Sequence, residues 1–463
     1  MNGPGAQTLG RAPLPSDPRS FIAFGGEVGE TVRRLTEEAV KAGRWRTPED
    51  IELNPRNPLS LAYWTYKSWN PIVRAMPGSG IEDRLEPFRR TRFDLMPEGF
   101  TAETERTMTV SGDLMCTKGL DDAKDRFYEE VADTVFGADI AYANLESTLT
   151  TGEIAATTFT EDETPKINLT AQQYEAIIGH RGRRFDIVQL ANNHILDCGE
   201  EGVRTTLARL RADGIEQVGV NETEADAARP RITELAGLRI GWIAHTFSVN
   251  FKPFPPDKPW IVNMTPMHLV PDADVSGIEA QVRACRAAGC DLVFVTLHWG
   301  LEFEFYPHPD QLRWAHRFAE AGADAVIGHH PHVVQPVEIY RPRTDPARSV
   351  PILYSIGNLT SVISHPSNVS SLVGRLRLTT GTLEGRRRTL VTGLELTPLA
   401  LLAERCATTG RSTLKLFPAT ALLGAGHDEE TGRYLSEVAS FIDVAIGTGW
   451  RSVAAQATAR ASA

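Results

Sequence analysis

The hydrophobic positions of this chain gather, in its middle, into short, nearly continuous runs that each end abruptly in polar residues. They are MTVSGD (108–113), DIAYANLE (139–146), DIVQLANNH (186–194), DLVFVTLHWG (291–300), DAVIGHHPH (324–332) and PILYSIGN (351–358), with RIGWIAHT (239–246) a similar seventh. Between most of them the apolar spacing turns helical, as in EEGVRTTLARLRADG (200–214), SGIEAQVRACRAAG (276–289) and PDQLRWAHRFAEAG (309–322). These three stretches close on a glycine, as helix C-termini often do. Near-continuous apolar strands alternating with amphipathic helices predict a sheet covered on both faces. In such folds the C-terminal ends of the strands meet at one ligand-binding edge. The polar residues that close these runs are therefore expected to converge in space.

The flanks read differently. Residues 1–20 are rich in Gly, Pro and Ser and are expected to be flexible, and one helix is expected near 29–42. The aromatic segment LAYWTYKSWNPIV (61–73) admits two readings, a satellite helix packed on the main domain or a cover over a pocket. GRLRLTTGTLEGRRRTLVTGLEL (374–396) predicts two alternating strands joined by a turn, an antiparallel extension of a sheet. Its basic cluster, Arg386–Arg388, is either a solvated hairpin tip or a phosphate clamp. A last amphipathic helix is expected at about 430–446, before an Ala/Ser-rich tail expected to fray. The division that follows is an N-terminal extension (1–106), a main domain (107–425) and a C-terminal helix with its tail (426–463).

Charge narrows the function. A net charge of -11 argues against a nucleic-acid binder, which needs a basic face to neutralise phosphates. An acidic enzyme can still take an anionic substrate if metal ions supply local positive charge. The five cysteines form no CxxC pair and are odd in number, which predicts a reducing compartment. The N-terminus shows no apolar run of signal-peptide type, and no stretch approaches the ~20 apolar residues that span a bilayer. The expectation is a cytoplasmic chain without a membrane anchor, with a homo-oligomer left open.

Candidate chemistry concentrates at the run ends. Six of the twelve histidines lie within 298–332, and His329, His330 and His332 share one tight loop, GHHPH. Gly328 is expected to permit a tight turn there, and Pro331 to fix the backbone between two imidazoles. That arrangement suits two nitrogen donors aimed at neighbouring metals. His298 closes another run, and Asp113, Glu146 and Asn193 bring oxygen donors. A mixed nitrogen and oxygen set with carboxylates able to bridge suits one or two divalent transition metals, Mn, Fe or Zn.

Taken in order, SGDLM, ANLEST, LANNHILDCGEEGVRTTL, LHWGLEFEFYPHPDQ, GADAVIGHHPHVVQPVEIY and SIGN resemble the CapA family. This is the capsule or poly-γ-glutamate synthesis group of the calcineurin-like metallophosphoesterase superfamily, and the resemblance covers about 107–400. It implies an α/β fold, a four-layer α/β/β/α metallophosphoesterase-like sandwich with an N-terminal helical extension, and a metal site at the edge of its two sheets. By the same resemblance Asp113, Glu146, Asn193, His298, His330 and His332 are metal ligands, Glu146 in the bridging place, and His194 is the acid near the substrate. The superfamily usually begins Asp-x-His, whereas Met115 stands at the third position here, so one of the two metal sites has a nitrogen donor fewer. Glu302 would be an added oxygen donor, a substrate contact or a surface carboxylate. Asn192, His329 and Asn358 are further candidates for substrate contact. Asp197 and Gly199 are expected to shape the start of a helix. The loop VNFKPFPPDKPW (249–260) is either a rigid specificity wall or an ordinary packed loop.

The function this implies is a metal-dependent hydrolase acting on a phosphoester or related bond of a small or oligomeric metabolite. An enzyme making, exchanging or cleaving γ-glutamyl-type amides is the alternative. A non-catalytic assembly subunit is the third reading.

Overall fold

The computed structural model describes residues 8–12, 26–51, 54, 56–150, 166–270, 272–406, 412–423 and 426–451. Strands longer than two residues form two sheets, and the chain visits them in blocks. The first block is β1 (Thr8–Ala12), β2 (Arg92–Asp94), β3 (Thr101–Leu114), β4 (Ile140–Leu145), β5 (Ile187–Gln189) and β6 (Glu216–Val218). The second is β7 (Arg231–Leu235), β8 (Leu238–Thr246), β9 (Leu292–His298), β10 (Ala325–His329), β11 (Val337–Tyr340) and β12 (Val350–Leu353). The chain then returns to the first sheet with β13 (Ser370–Leu383), β14 (Arg386–Cys406) and β15 (Ser412–Pro418).

The first sheet has nine strands in the order β1-β14-β13-β3-β4-β5-β6, with β2 and β15 also on β14. The second has six, in the order β7-β8-β9-β10-β12-β11. Each has a parallel centre, β3 to β6 in one and β8, β9, β10 and β12 in the other, so strand C-termini gather at one edge of each sheet. The two sheets lie face to face. Tyr142 of β4 stacks on Trp242 of β8 at 5.8 Å between ring centroids and bonds to Thr296 of β9.

Helices α1 (Gly26–Ala42), α2 (Pro58–Trp69), α3 (Gly199–Ala212), α4 (Ser276–Ala287), α5 (Pro309–Ala321) and α6 (Glu429–Ile446) complete the main elements. α4 and α5 pack on the six-stranded sheet, while α3 and the short helix Ala132–Phe136 pack on the nine-stranded one. The result is the expected α/β/β/α sandwich. Its central strands β4, β9 and β10 are buried throughout because helices cover the outer faces.

The strands at the seven apolar runs, the β13–β14 hairpin and the helices α3 to α6 fall where the apolar spacing placed them, although β14 runs on to Cys406, whereas β2, β6, β7, β11 and β15 were not expected. β3 starts earlier than the pattern suggested. Its first half is solvent-exposed and Thr/Glu-rich, so it carries no apolar alternation to read. Within the segment expected to be flexible, Thr8–Ala12 instead pairs antiparallel with β14. The rest of 1–20, and the tail from 452 onward, lie outside the described residues. At the 384–388 hairpin tip Arg388 is ion-paired with Asp345, and Arg387 lies 3.6 Å from Glu103. α1 and α2 form a satellite with its own small core, in which Val32, Ala39, Trp45, Leu61 and Ala62 are buried. α2 starts on Pro58 with Asn57 as its cap, accepting from the Leu59 amide at 2.9 Å.

Candidate metal centre

Asp113 occupies its place because two glycines interlock. The pairing of β3 with β4 slips between Ser111 and Asp113, a bulge that re-aims the carboxylate. Gly112 sits in that slip against the Gly357 carbonyl, so close that a Cβ would overlap the oxygen. Gly357 has φ 71° and is free to turn back, which lets Asp113 N donate to its carbonyl at 3.1 Å. The SGD and SIGN segments thus form one joint.

Glu146 and Asn144 lie two residues apart and so share a face of the chain leaving β4. Asn144 Nδ2 donates to Asp113 Oδ1 at 2.8 Å and reaches Glu146 Oε2 at 3.5 Å. Glu146 is fully buried. Its Oε1 lies 3.2 Å from His298 Nε2 and 3.7 Å from His332 Nε2, yet accepts no aligned hydrogen bond.

The 328–332 loop departs from expectation. Gly328 lies inside β10 and makes no turn. It is needed for close approach, since a Cβ would strike the Tyr354 carbonyl and the Trp299 indole. The turn is made by the histidines themselves, His330 at φ 98° and His332 at φ 57°, conformations that non-glycine residues rarely hold without a compensating role. His330 Nδ1 is buried without a partner, and the ring packs 4.8 Å from that of His298. His332 Nδ1 donates to Asn358 Oδ1 at 3.0 Å, leaving Nε2 toward Glu146.

Three residues expected at the substrate sit behind the ligands instead, each fully buried. His329 bridges Asp113 Oδ1 at 2.8 Å and the Tyr142 hydroxyl at 3.0 Å, because it ends β10 on the face opposed to β4. Asn358 orients His332. Asn192 donates to the Leu145 carbonyl at 2.8 Å and accepts from the His194 amide at 3.1 Å, bracing the loop after β5. Such partners fix the ring orientation and tautomer of metal ligands.

Asn193 Oδ1 lies 2.9 Å from His298 Nε2. His194 Nδ1 meets Asp197 Oδ2 at 2.7 Å, and the Ile167 amide donates to the same oxygen at 2.6 Å. Asp197 therefore holds His194 rather than capping α3, which begins at Gly199 with no side-chain cap. Gly199, at φ 59°, does shape that start.

The side chains fit a divalent metal. Among the described residues Glu146, His298 and His330 form one compact triad, and Asp113, Glu146 and His332 form another, each with donor atoms within 4.8 Å of one another. Both include Glu146. Burial pushes His298 and His330 well down, so both are neutral imidazoles with a lone pair to give. Burial also opposes the charge on Asp113, but hydrogen bonds and charge from His329 and His332 outweigh it and hold the carboxyl well below its usual range. Glu146 goes the other way, driven up by burial and then by the Asp113 charge. Two buried carboxylates this close call for a compensating cation. Met115 is buried on the cavity floor beside the Asp113 triad, where it offers no nitrogen.

Above the floor is a cavity of about 170 Å³. α2 forms its cover through Leu61, Tyr63, Trp64 and Lys67, so the aromatic segment both packs as a satellite and closes the site. Glu302 lines the wall, where it accepts from Trp64 Nε1 at 2.6 Å and stands 3.7 Å from His332 Nε2. The next carboxylate on that segment, Glu304, is buried in an ion pair with Lys67 at 2.6 Å and accepts from Tyr63 at 3.1 Å. The 247–251 loop supplies another part of the wall. Phe247 packs 4.6 Å from the His330 ring, and Asn250 accepts from Asn193 Nδ2 at 3.3 Å. Asn144 escaped the sequence reading, which gave Asp197 another role and named Tyr63, Trp64 and Lys67 only as part of the aromatic segment 61–73. For Asn144 a signal existed, since it stands two residues before Glu146 on the same strand face.

Among the described residues no helix is long and apolar enough to cross a membrane. Residues 107–362 match the family described as bacterial capsule synthesis protein PGA_cap. The chain is 28% identical over 269 residues to the PGA biosynthesis protein CapA of Bacillus subtilis, covering 56% of this chain and 66% of that protein. It is 27% identical over 264 residues to the capsule biosynthesis protein CapA of Bacillus anthracis, covering 54% and 59%. A probable polyglutamine synthesis accessory protein of Mycobacterium tuberculosis is 29% identical over 259 residues, covering 52% and 60%. The chain thus spans about three fifths to two thirds of the length of these curated relatives. Among solved structures, a hypothetical protein from Thermus thermophilus overlaps with TM-score 0.35 at 16% identity, over 63% of this chain and 98% of that one. A calcineurin-like phosphoesterase from Bacillus subtilis overlaps with TM-score 0.32 at 14% identity, over 73% and 97%. Those overlaps are loose, and the fold stands on its own topology. Because the family match takes in more than half of the chain, and every proposed ligand with it, this protein belongs to the PGA_cap, or CapA, family.

Proposed function

We propose that the chain is a metal-dependent hydrolase of a small organic phosphoester. The observation that carries this reading is the pair of buried triads sharing Glu146, whose His330 and His332 line a cavity together with Asn193 and His194, the last of these held by Asp197. Asp113, Glu146 and His332 would hold one divalent cation, and Glu146, Asn193, His298 and His330 a second. Bound there, such cations would supply Lewis acidity toward a phosphoryl oxygen and lower the pKa of water.

The remaining work belongs to side chains of this protein. Asn144 and His329 hold Asp113, and Asn358 holds His332, so the donors are fixed before substrate arrives. Asp197 binds His194 Nδ1, which leaves Nε2 as the nitrogen that can carry a proton to the leaving oxygen. When water attacks phosphorus, the P–O bond to the organic group breaks and that oxygen takes the His194 proton. The proton lost by the water restores the imidazolium. General acid catalysis of this kind contributes roughly 10²–10⁴-fold.

The test combines metal analysis with an ester screen. The purified protein should contain at least one transition metal per chain and hydrolyse p-nitrophenyl phosphate or its diester. Asp197→Asn should lower kcat by roughly 10- to 100-fold with the metal content unchanged. A metal-loaded protein inert toward all phosphoesters would sink the reading, as would full activity in His194→Ala.

A further inference from the structure

The wall above the metal floor bears on what the substrate looks like. Leu61 and Trp64 of α2, Phe247 and Phe251, Leu269 and Ile363 line it with apolar surface. Among the described residues only two on this wall carry formal charge. Lys67 is already paired with buried Glu304, and Glu302 is negative. A γ-glutamyl chain brings a carboxylate with every residue, and among the described residues this wall offers no free cation to meet a row of them.

One ring on this wall is posed rather than packed away. Phe251 is 54% exposed at the cavity, and both it and Asn250 hold left-handed backbone, φ 58° and 52°. Consecutive non-glycine residues in that region cost conformational energy, a cost that tends to persist where a site uses it. The same turn is tied to the floor, because Asn250 accepts from the proposed ligand Asn193. Trp64, lining the same cavity, is fixed by its bond to Glu302 and by edge contact with Phe303, ring centroids 5.5 Å apart. α2 lies outside the matched segment 107–362, so this half of the wall belongs to the N-terminal extension and not to the family match.

We propose that the substrate is a compact monoanionic or dianionic phosphoester whose organic group is apolar and of aromatic size, held between Trp64 and Phe251 while its phosphoryl group sits on the metal floor. This rests on the hydrolase reading above for the placement of the phosphoryl group. Burying an aromatic ring against such a wall corresponds to roughly ten- to hundredfold in affinity.

Calorimetric titration of the metal-loaded protein with non-hydrolysable phosphonates separates the two readings, because binding is measured without turnover. Benzylphosphonate should bind at least about tenfold tighter than methylphosphonate, and tri-γ-glutamate more weakly than either. The ratio between the two phosphonates should collapse toward one in Trp64→Ala. It should fall likewise in Phe251→Ala, an exposed position whose loss leaves the fold intact should Trp64→Ala fail to fold. Equal binding of the two phosphonates, or an unchanged ratio in Phe251→Ala, overturns the wall's role and leaves the hydrolase reading standing. Tightest binding of tri-γ-glutamate overturns the substrate class. Absence of binding by both phosphonates overturns this proposal together with the placement of a phosphoryl group on the floor.

Discussion

At the scale of single residues the arrangement turns on Glu146, the only side chain common to the two donor triads found among the described residues. Losing an unshared ligand and losing the shared one should then differ in stoichiometry. His330→Ala removes a donor from one triad and should leave the Asp113, Glu146 and His332 set able to hold metal. His332→Ala should do the reverse. Glu146→Ala removes a donor from both, and elemental analysis of the purified variant should find the greatest loss of all. If His330→Ala empties the protein as completely as Glu146→Ala, the donors serve one cation and the two-triad description is wrong. The histidine variants lose ligands and gain no buried charge, so circular dichroism should stay native.

Elements explain how those residues come to meet, and where the sequence could be read. The positions of the candidate ligands were legible because each closes an apolar run, and parallel strands deliver their ends to one edge. The parts played by His329, Asn358 and Asp197 were not legible, because they depend on which face of a loop points inward, a matter settled across the two sheets. The partners on which α2 docks were hidden for the same reason. Its partners Glu302 and Glu304 lie more than 200 residues away in the chain, and periodicity carries no long-range pairing. That docking has an energetic handle. Lys67 and Glu304 are both almost wholly buried, with side-chain exposures of 3% and 4%. Lys67→Met would leave the Glu304 carboxylate buried and uncompensated, a loss of about 3–5 kcal/mol. Glu304→Gln in the same chain removes the orphaned charge, so the double variant should recover much of that loss in denaturant unfolding. Equal instability of single and double variants would show that the pair contributes packing and not charge balance.

For the molecule as a whole, acid should find a weak point away from the metal floor. His245 lies near the end of β8, 7% exposed, with its Nε2 3.1 Å from Gln281 Oε1 of α4 and its Nδ1 3.0 Å from the Thr265 hydroxyl. Both contacts are satisfied by the neutral ring, as donor to the amide oxygen and acceptor from the hydroxyl. Burial pushes its pKa down to about 4, against an ordinary 6.5. In the unfolded chain the imidazole takes up a proton as pH falls below 6.5, while the folded protein resists until about 4. Between those values the unfolded state binds more protons, so stability is fully present above 6.5 and drains away as pH falls. Carried through the whole interval, the loss attributable to this one ring is about 3 kcal/mol. Other groups also contribute to the pH dependence of stability, so the informative quantity is a difference between two proteins. His245→Asn keeps a polar side chain that cannot be protonated there and retains every proposed ligand. Its unfolding free energy, measured beside that of the parent from pH 7 to pH 4, should gain on the parent by up to about 3 kcal/mol as the acid limit is approached. A constant gap between the two proteins over that interval would mean that this histidine is protonated alike in the folded and unfolded states.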